Sequence, residues 1–260
     1  MIDIHCHILP GIDDGPKDIE TSLKMLKIAE EDGISKIIAT PHFYRGFYEN
    51  EYQDVEKKVK ELNEASKENN INVEILPGQE IFLDKHTLED YKSGAIKGLN
   101  NSKYMLIELP PDILPGYVLD MIYELKLLGV KPIIAHPERY VYVMEDIHIL
   151  NSFIKEECFF QLNSGSITGV FGKSIQKTAI KLIKNGICDF VASDAHTEGR
   201  RKPKIKEALM EMQGLNKEKF EKILINTEEM SKNNEIVYDN RKFKVNKSFF
   251  CVIASKFNIT

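Results

Sequence analysis

Seven short β-rich runs, separated by amphipathic segments, organise this 260-residue chain. They read "IDIHCHI", "SKIIATPH", "VEILPGQEIF", "YMLIELP", "KPIIAHP", "FFQLNSG" and "CDFVASDAH". Helical periodicity between them predicts helices over about 18–32, 50–69, 117–128, 145–156, 173–185 and 203–213. In the first of these Ile19, Leu23, Leu26 and Ala29 share one face, and Gly33 stands where a left-handed residue would end it. Strands separated by helices form right-handed βαβ units in a mainly parallel sheet. The class is therefore α/β, as an open doubly wound sheet or a closed barrel.

Polar residues decide between the two. An open sheet gathers its ligands at one switch-point crevice, whereas a barrel draws functional residues from the C-terminal ends of many strands. Here strand after strand ends in a candidate: His5 and His7, His42, Glu80, Glu108, His136, Asn163, then Asp194 and His196. A single-domain, TIM-like (βα)7 barrel is expected. No low-complexity stretch, repeat or linker divides the chain.

The net charge of -5 argues against a nucleic-acid binder, whose footprint is normally basic. Met1 leads directly into a strand-like run, and no apolar stretch approaches the roughly 18 residues of a membrane span, so a cytoplasmic protein is expected. Cys6, Cys158, Cys188 and Cys251 form no CxxC pair and read as buried thiols. Six residues beyond them stand Ile12, Ser164, Asp194 and Phe257, so the Cys-x5-Arg loop of thiolate phosphatases is absent.

Residues two apart on a strand share a face, so His5 and His7 point one way and Cys6 the other. The pair is a pincer for a metal, and Asp194 with His196 repeats it. Five of the seven histidines sit at strand ends, alongside three carboxylates. Imidazole and carboxylate without thiolate suit Zn, Mn or Fe, and so many donors exceed the three or four protein ligands of one ion. More than one ion is implied, with Glu80 and Glu108 able to bridge. His86 and His148 are expected at the surface, and Glu30, Glu31 and Asp32 as a solvated helix end. Arg200, Arg201, Lys202, Lys204 and Lys206 follow the last strand, either as an exposed loop or as an anion trap.

These strings resemble a known family. "DIHCHILPGIDDGP", "ATPHF", "LPGQEIF", "LIELP", "IIAHPERY", "QLNSGS" and "ASDAH" are similar to the polymerase and histidinol phosphatase superfamily. Within it they resemble the bacterial manganese-dependent tyrosine-protein phosphatases of capsule and exopolysaccharide gene clusters. The resemblance implies a distorted (βα)7 barrel over residues 1–240 with three divalent ions, usually Mn, and leaves 241–260 as a tail of unassigned role. It implies His5, His7, Glu80 and Asp194 around one ion, Glu80, Glu108 and His136 around a second, and Asp14, His42 and His196 around a third. Asp13 competes with Asp14 for its position; Asp14 is taken. Arg139 and Arg201 match the phosphate-binding arginines, although Lys202 interrupts the family's usual Arg-Pro and leaves Arg200 in competition. The implied substrate is the phosphotyrosine tail of a bacterial tyrosine kinase. A small-molecule phosphatase of the histidinol-phosphate type and a non-catalytic metal-binding docking protein are the alternatives.

Overall fold

The computed structural model describes residues 1–239 and Phe243. The described residues hold ten strands, nine of which form seven staves. The ten are β1 (Ile2–Cys6), β2 (Lys36–Ala39), β3 (His42–Tyr44), β4 (Tyr48–Glu49), β5 (Glu74–Pro77), β6 (Glu80–Phe82), β7 (Tyr104–Glu108), β8 (Lys131–Ala135), β9 (Phe159–Asn163) and β10 (Phe190–Ala192). Two runs expected to be continuous are each broken in two. Pro41, which lacks an N–H, separates β2 from β3, and Gly78-Gln79 separates β5 from β6.

All pairings are parallel except the β3–β4 hairpin. One sheet runs β1-β2-β5 and the other β10-β9-β8-β7-β6-β3-β4. The broken staves, β2 with β3 and β5 with β6, carry the ring from one sheet into the other. Its seam is closed between the end of β1 and the residues after β10. There His7 N donates to Ala195 O at 2.8 Å, and Asp194 N donates to His5 O at 2.8 Å. The result is the expected distorted seven-stave barrel.

Helices α1 (Ile19–Asp32), α2 (Tyr52–Glu68), α3 (Thr87–Ser93), α4 (Val118–Leu127), α5 (Val141–Glu145), α6 (Leu150–Lys155), α7 (Ser164–Ile167), α8 (Lys173–Lys184), α9 (Lys206–Leu215) and α10 (Lys217–Ser231) complete the fold. Asp18 caps α1 by accepting from Thr21 N, and Gly33 ends it at φ 88°. The single helix expected near 145–156 is instead α5, a short 3-10 turn and α6. Asp146 adopts an extended conformation there and takes the His148 N–H on its side chain. Helices α3, α7 and α10 were not foreseen.

Two apolar layers hold the barrel. Cys6, Met25, Leu26, Ile37, Ile107 and Ile134 lie in the layer between staves and helices. Ile4, Ile38, Tyr104, Leu106, Ile133, Phe159 and Phe190 fill the second, which Met230 and Ile236 join. Each such side chain contributes about 1.5–3 kcal/mol on burial. At its end the Tyr104 hydroxyl donates to Asn234 O and accepts from Ile236 N, fastening the chain after α10 beneath the barrel. The expected tail, 241–260, lies outside the described residues except for Phe243, which exchanges hydrogen bonds with Asn151. Cys251 lies outside them too.

Candidate metal centre

The C-terminal ends of the staves converge as the barrel requires. His42 lies in register with Glu80, at one level, while Glu108 lies in register with Phe82, two residues further along the neighbouring stave. At β8 and β10 the strand geometry ends early. His136 and Asp194 both take left-handed backbone, at φ 33° and 50°. Such conformations cost about 1–3 kcal/mol each and occur where a site over-determines them.

Glu80 is at the centre. Its Oε2 stands 3.3 Å from His5 Nε2, 3.1 Å from His7 Nε2 and 3.1 Å from His42 Nδ1, while Oε1 is 3.0 Å from His136 Nε2. Asp194 Oδ1 faces His5, His7 and His196 at 3.5–3.6 Å. Asp14 Oδ1 lies 3.2 Å from His196 Nε2 and 3.5 Å from His42 Nε2. Glu108 reaches His136 Nε2 at 3.7 Å and His42 Nδ1 at 3.8 Å. Four overlapping groups have the spacing to hold a metal ion: His7, Asp14, His42 and His196; His5, His7 and Glu80; His5, His136 and Asp194; and His42, Glu80 and Glu108. All nine expected ligands are therefore in one cluster, though His5, His7, His42 and Glu80 each serve two groups.

The residues fit divalent cations. Five imidazoles and four carboxylates aim lone pairs at shared points in a largely buried space, with no thiolate among them, which is the donor set of Mn, Fe or Zn. His136 Nδ1 is buried without a hydrogen-bond partner among the described residues. Burial, then the charges of Glu80 and Asp194, push the Glu108 carboxyl up to about 9.

Behind the cluster, a set of hydrogen bonds orients it. Asp13 Oδ2 accepts from His7 Nδ1 at 2.7 Å and from His42 N at 3.1 Å, and its Oδ1 accepts from Gly15 N at 2.9 Å. Asp13 thus aims His7 from behind while Asp14 faces the centre. Gly15 permits this: a Cβ there would stand 2.6 Å from His7 O. Gln161 Oε1 holds His5 Nδ1 at 2.9 Å, and Asn163 donates to Asp194 Oδ2 at 2.6 Å.

That same Asp194 oxygen receives Arg139 Nη1 at 2.7 Å and Arg201 Nη2 at 2.8 Å. The carboxylate is divided, one oxygen toward the histidines and the other toward two guanidiniums. Both guanidiniums lie over the Phe171 ring, at 5.3 and 5.9 Å. Arg200 instead donates to Val170 O on the surface. Geometry thus favours Arg201 over Arg200.

Gln161 and Phe171 are not among the site residues expected from the sequence, and Asn163 is expected there only as a strand end. The signal for the first was present: Gln161 and Asn163 interrupt an apolar run at i, i+2, as His5 and His7 do. Phe171 left none, because its loop position is set only by folding. His86 is exposed as expected, whereas His148 is half-buried with its ring against Phe243. Asp32 is not merely a solvated helix end, since its Oδ2 accepts from Ile205 N and Lys206 N at the start of α9.

Residues 1–232 match the family described as capsular polysaccharide synthesis, CpsB/CapC. The tyrosine-protein phosphatase YwqE of Bacillus subtilis is 40% identical over 209 residues, 80% of this chain and 82% of its own. The tyrosine-protein phosphatase CpsB of Streptococcus agalactiae is 30% identical over 213 residues, 80% of this chain and 88% of its own. A solved structure from work on YwqE of Bacillus subtilis and CpsB of Streptococcus pneumoniae, described as unique metal-dependent tyrosine phosphatases, is also similar. It superposes with a TM-score of 0.90 at 36% identity, covering 95% of this chain and 100% of that one. Histidinol phosphate phosphatase of Lactococcus lactis shares the fold alone, with a TM-score of 0.55 at 12% identity, covering 84% of this chain and 94% of that one.

Proposed function

The chain belongs to the CpsB/CapC family of capsular polysaccharide synthesis, and on that premise we propose that it is a metal-dependent protein-tyrosine phosphatase. Its substrate is the phosphotyrosine-bearing tail of a bacterial tyrosine kinase that governs capsule and exopolysaccharide production. The observation that carries the reading is the divided Asp194 carboxylate, which joins a nine-residue nitrogen and oxygen cluster to two arginines. Three divalent ions, manganese in the native enzyme, would be held by His5, His7, Asp14, His42, Glu80, Glu108, His136, Asp194 and His196. When bound, such ions lower the pKa of water toward about 7 and polarise phosphoryl oxygens.

The chain's own groups do the positioning. Arg139 and Arg201 keep further N–H donors after bonding Asp194, and these neutralise the nonbridging oxygens of a phosphate monoester. A water oxygen forms the new bond to phosphorus as the bond to the tyrosyl oxygen breaks, and the proton that the water loses balances the one that the phenolate gains from solvent. The departing electron pair stays on a phenolate whose conjugate acid has a pKa of about 10, so no strong general acid is needed. Inorganic phosphate and tyrosine result.

No helix of the described residues is long and apolar enough to cross a membrane. We place the enzyme in the cytoplasm, where its buried Cys6 and Cys158 would stay reduced. The test is metal content measured together with hydrolysis of a phosphotyrosine peptide and of histidinol phosphate. Activity lost to chelation, restored best by manganese and selective for the peptide is expected. Full activity in metal-free protein, or preference for histidinol phosphate, would overturn the reading.

A further inference from the structure

Strand register extends the site outward into a wall of aromatic rings. Tyr44 follows His42 by two residues on β3, and Phe82 follows Glu80 by two on β6, so each continues the row that carries a metal-facing side chain. They are neighbours across the same ladder and stack at 4.1 Å with an interplanar angle of 22°. Phe47, from the β3–β4 turn, stacks on Tyr44 at 4.4 Å and 25°. The three rings form a column whose inner end, Phe82, is in register with Glu108. Its outer end is open: Phe47 is 71% exposed.

We infer that this column, Phe82, Tyr44 and Phe47, is the aryl-binding wall of the site and selects aromatic over alkyl phosphates. The inference rests on the phosphatase reading above and adds the residues that recognise the leaving group. Two residues of strand advance the backbone by about 6.6 Å, which sets Tyr44 and Phe82 one step beyond the level of His42 and Glu80. A tyrosyl ring is separated from its phosphorus by a single ester oxygen. With phosphorus at the cluster, the ring therefore falls beside the column, whereas a serine or small alkyl phosphate offers no π-face there. Aromatic contacts prefer offset or edge-on packing, and a stacked column presents both faces and edges.

Phosphonates isolate this recognition, because they bind without being cleaved. Calorimetric titration of the manganese-loaded protein with phenylphosphonate and methylphosphonate gives an affinity ratio independent of leaving-group chemistry. Phe82→Leu and Tyr44→Leu should lower that ratio by up to about tenfold, and Phe82→Tyr should restore it. Phe47→Ala, at an exposed position that does not support the core, should lower it several-fold and stands alone if the inner variants fail to fold. An unchanged ratio in folded variants, or equal loss of affinity for both phosphonates, would overturn the aryl wall. Failure of wild-type protein to cleave phosphotyrosine peptide would instead sink the catalytic reading, since the binding ratio is read separately.

Discussion

Replacing Asp13 by asparagine separates aiming a ligand from being one. The carboxylate accepts three hydrogen bonds, from His7 Nδ1, His42 N and Gly15 N. Burial would raise its pKa, yet the His7 ring beside it holds it below the usual carboxylate range. An amide has one acceptor oxygen. If that oxygen keeps His7 and His42, the NH2 group confronts the Gly15 N–H, and the charge beside the imidazole is gone. Losing a hydrogen bond to a charged group costs about 1.5–3 kcal/mol, which corresponds to about 10- to 150-fold in affinity. Carboxylates that orient metal-bound histidines are typically worth about 10–100-fold. The manganese concentration for half-maximal phosphotyrosine hydrolysis should rise by such a factor, with the full ion complement recovered at saturation. Asp14→Asn should instead lower the number of ions bound at saturation, measured by elemental analysis of dialysed protein. If Asp13→Asn lost an ion while Asp14→Asn kept all of them, the two aspartates would have the opposite roles. An unchanged midpoint in Asp13→Asn would remove the orienting argument.

His136→Ala should abolish most phosphatase activity while circular dichroism and the melting transition stay close to wild type, because the barrel rests on its two apolar layers; near-normal turnover would remove His136 from the centre. Arg139→Lys keeps the charge but loses the planar fork that holds Asp194 and its place over Phe171, so kcat/KM on phosphotyrosine peptide should fall by about tenfold or more. Wild-type kcat/KM in that variant would contradict the assignment. Cys6→Ser should retain activity and lose about 1–3 kcal/mol of stability by denaturant titration, from a hydroxyl placed in an apolar layer. An inactive but folded and metal-loaded Cys6→Ser protein would refute the strand register.

The barrel was legible because its signals are local and repeated. Polar residues at strand ends, such as Glu108 closing "YMLIE", are conspicuous against apolar runs. Cys6 illustrates both the power and the limit of strand alternation. It does pack outward, away from His5 and His7, yet the pairing register shifts between Asp3 and Cys6, and Ile4 joins the inner layer although it precedes His5 by one residue. Alternation thus describes the end of β1 and fails at its middle. The division of work between Asp13 and Asp14 depends on a loop folding back against His7, and the joint hold of Arg139 and Arg201 on Asp194 links positions 62 apart. Neither follows from residue spacing.

The seam of the barrel has a consequence of its own. The backbone groups that close the ring belong to His5, His7, Asp194 and Ala195, three of which are proposed ligands. Closing the cylinder and assembling the ion-binding cluster are therefore one event in folding, since a ring open at this joint has its first and last ligands apart. An ion gripped by His5, His7 and Asp194 would act as a rivet across the two chain segments, coupling occupancy of the centre to the integrity of the whole fold.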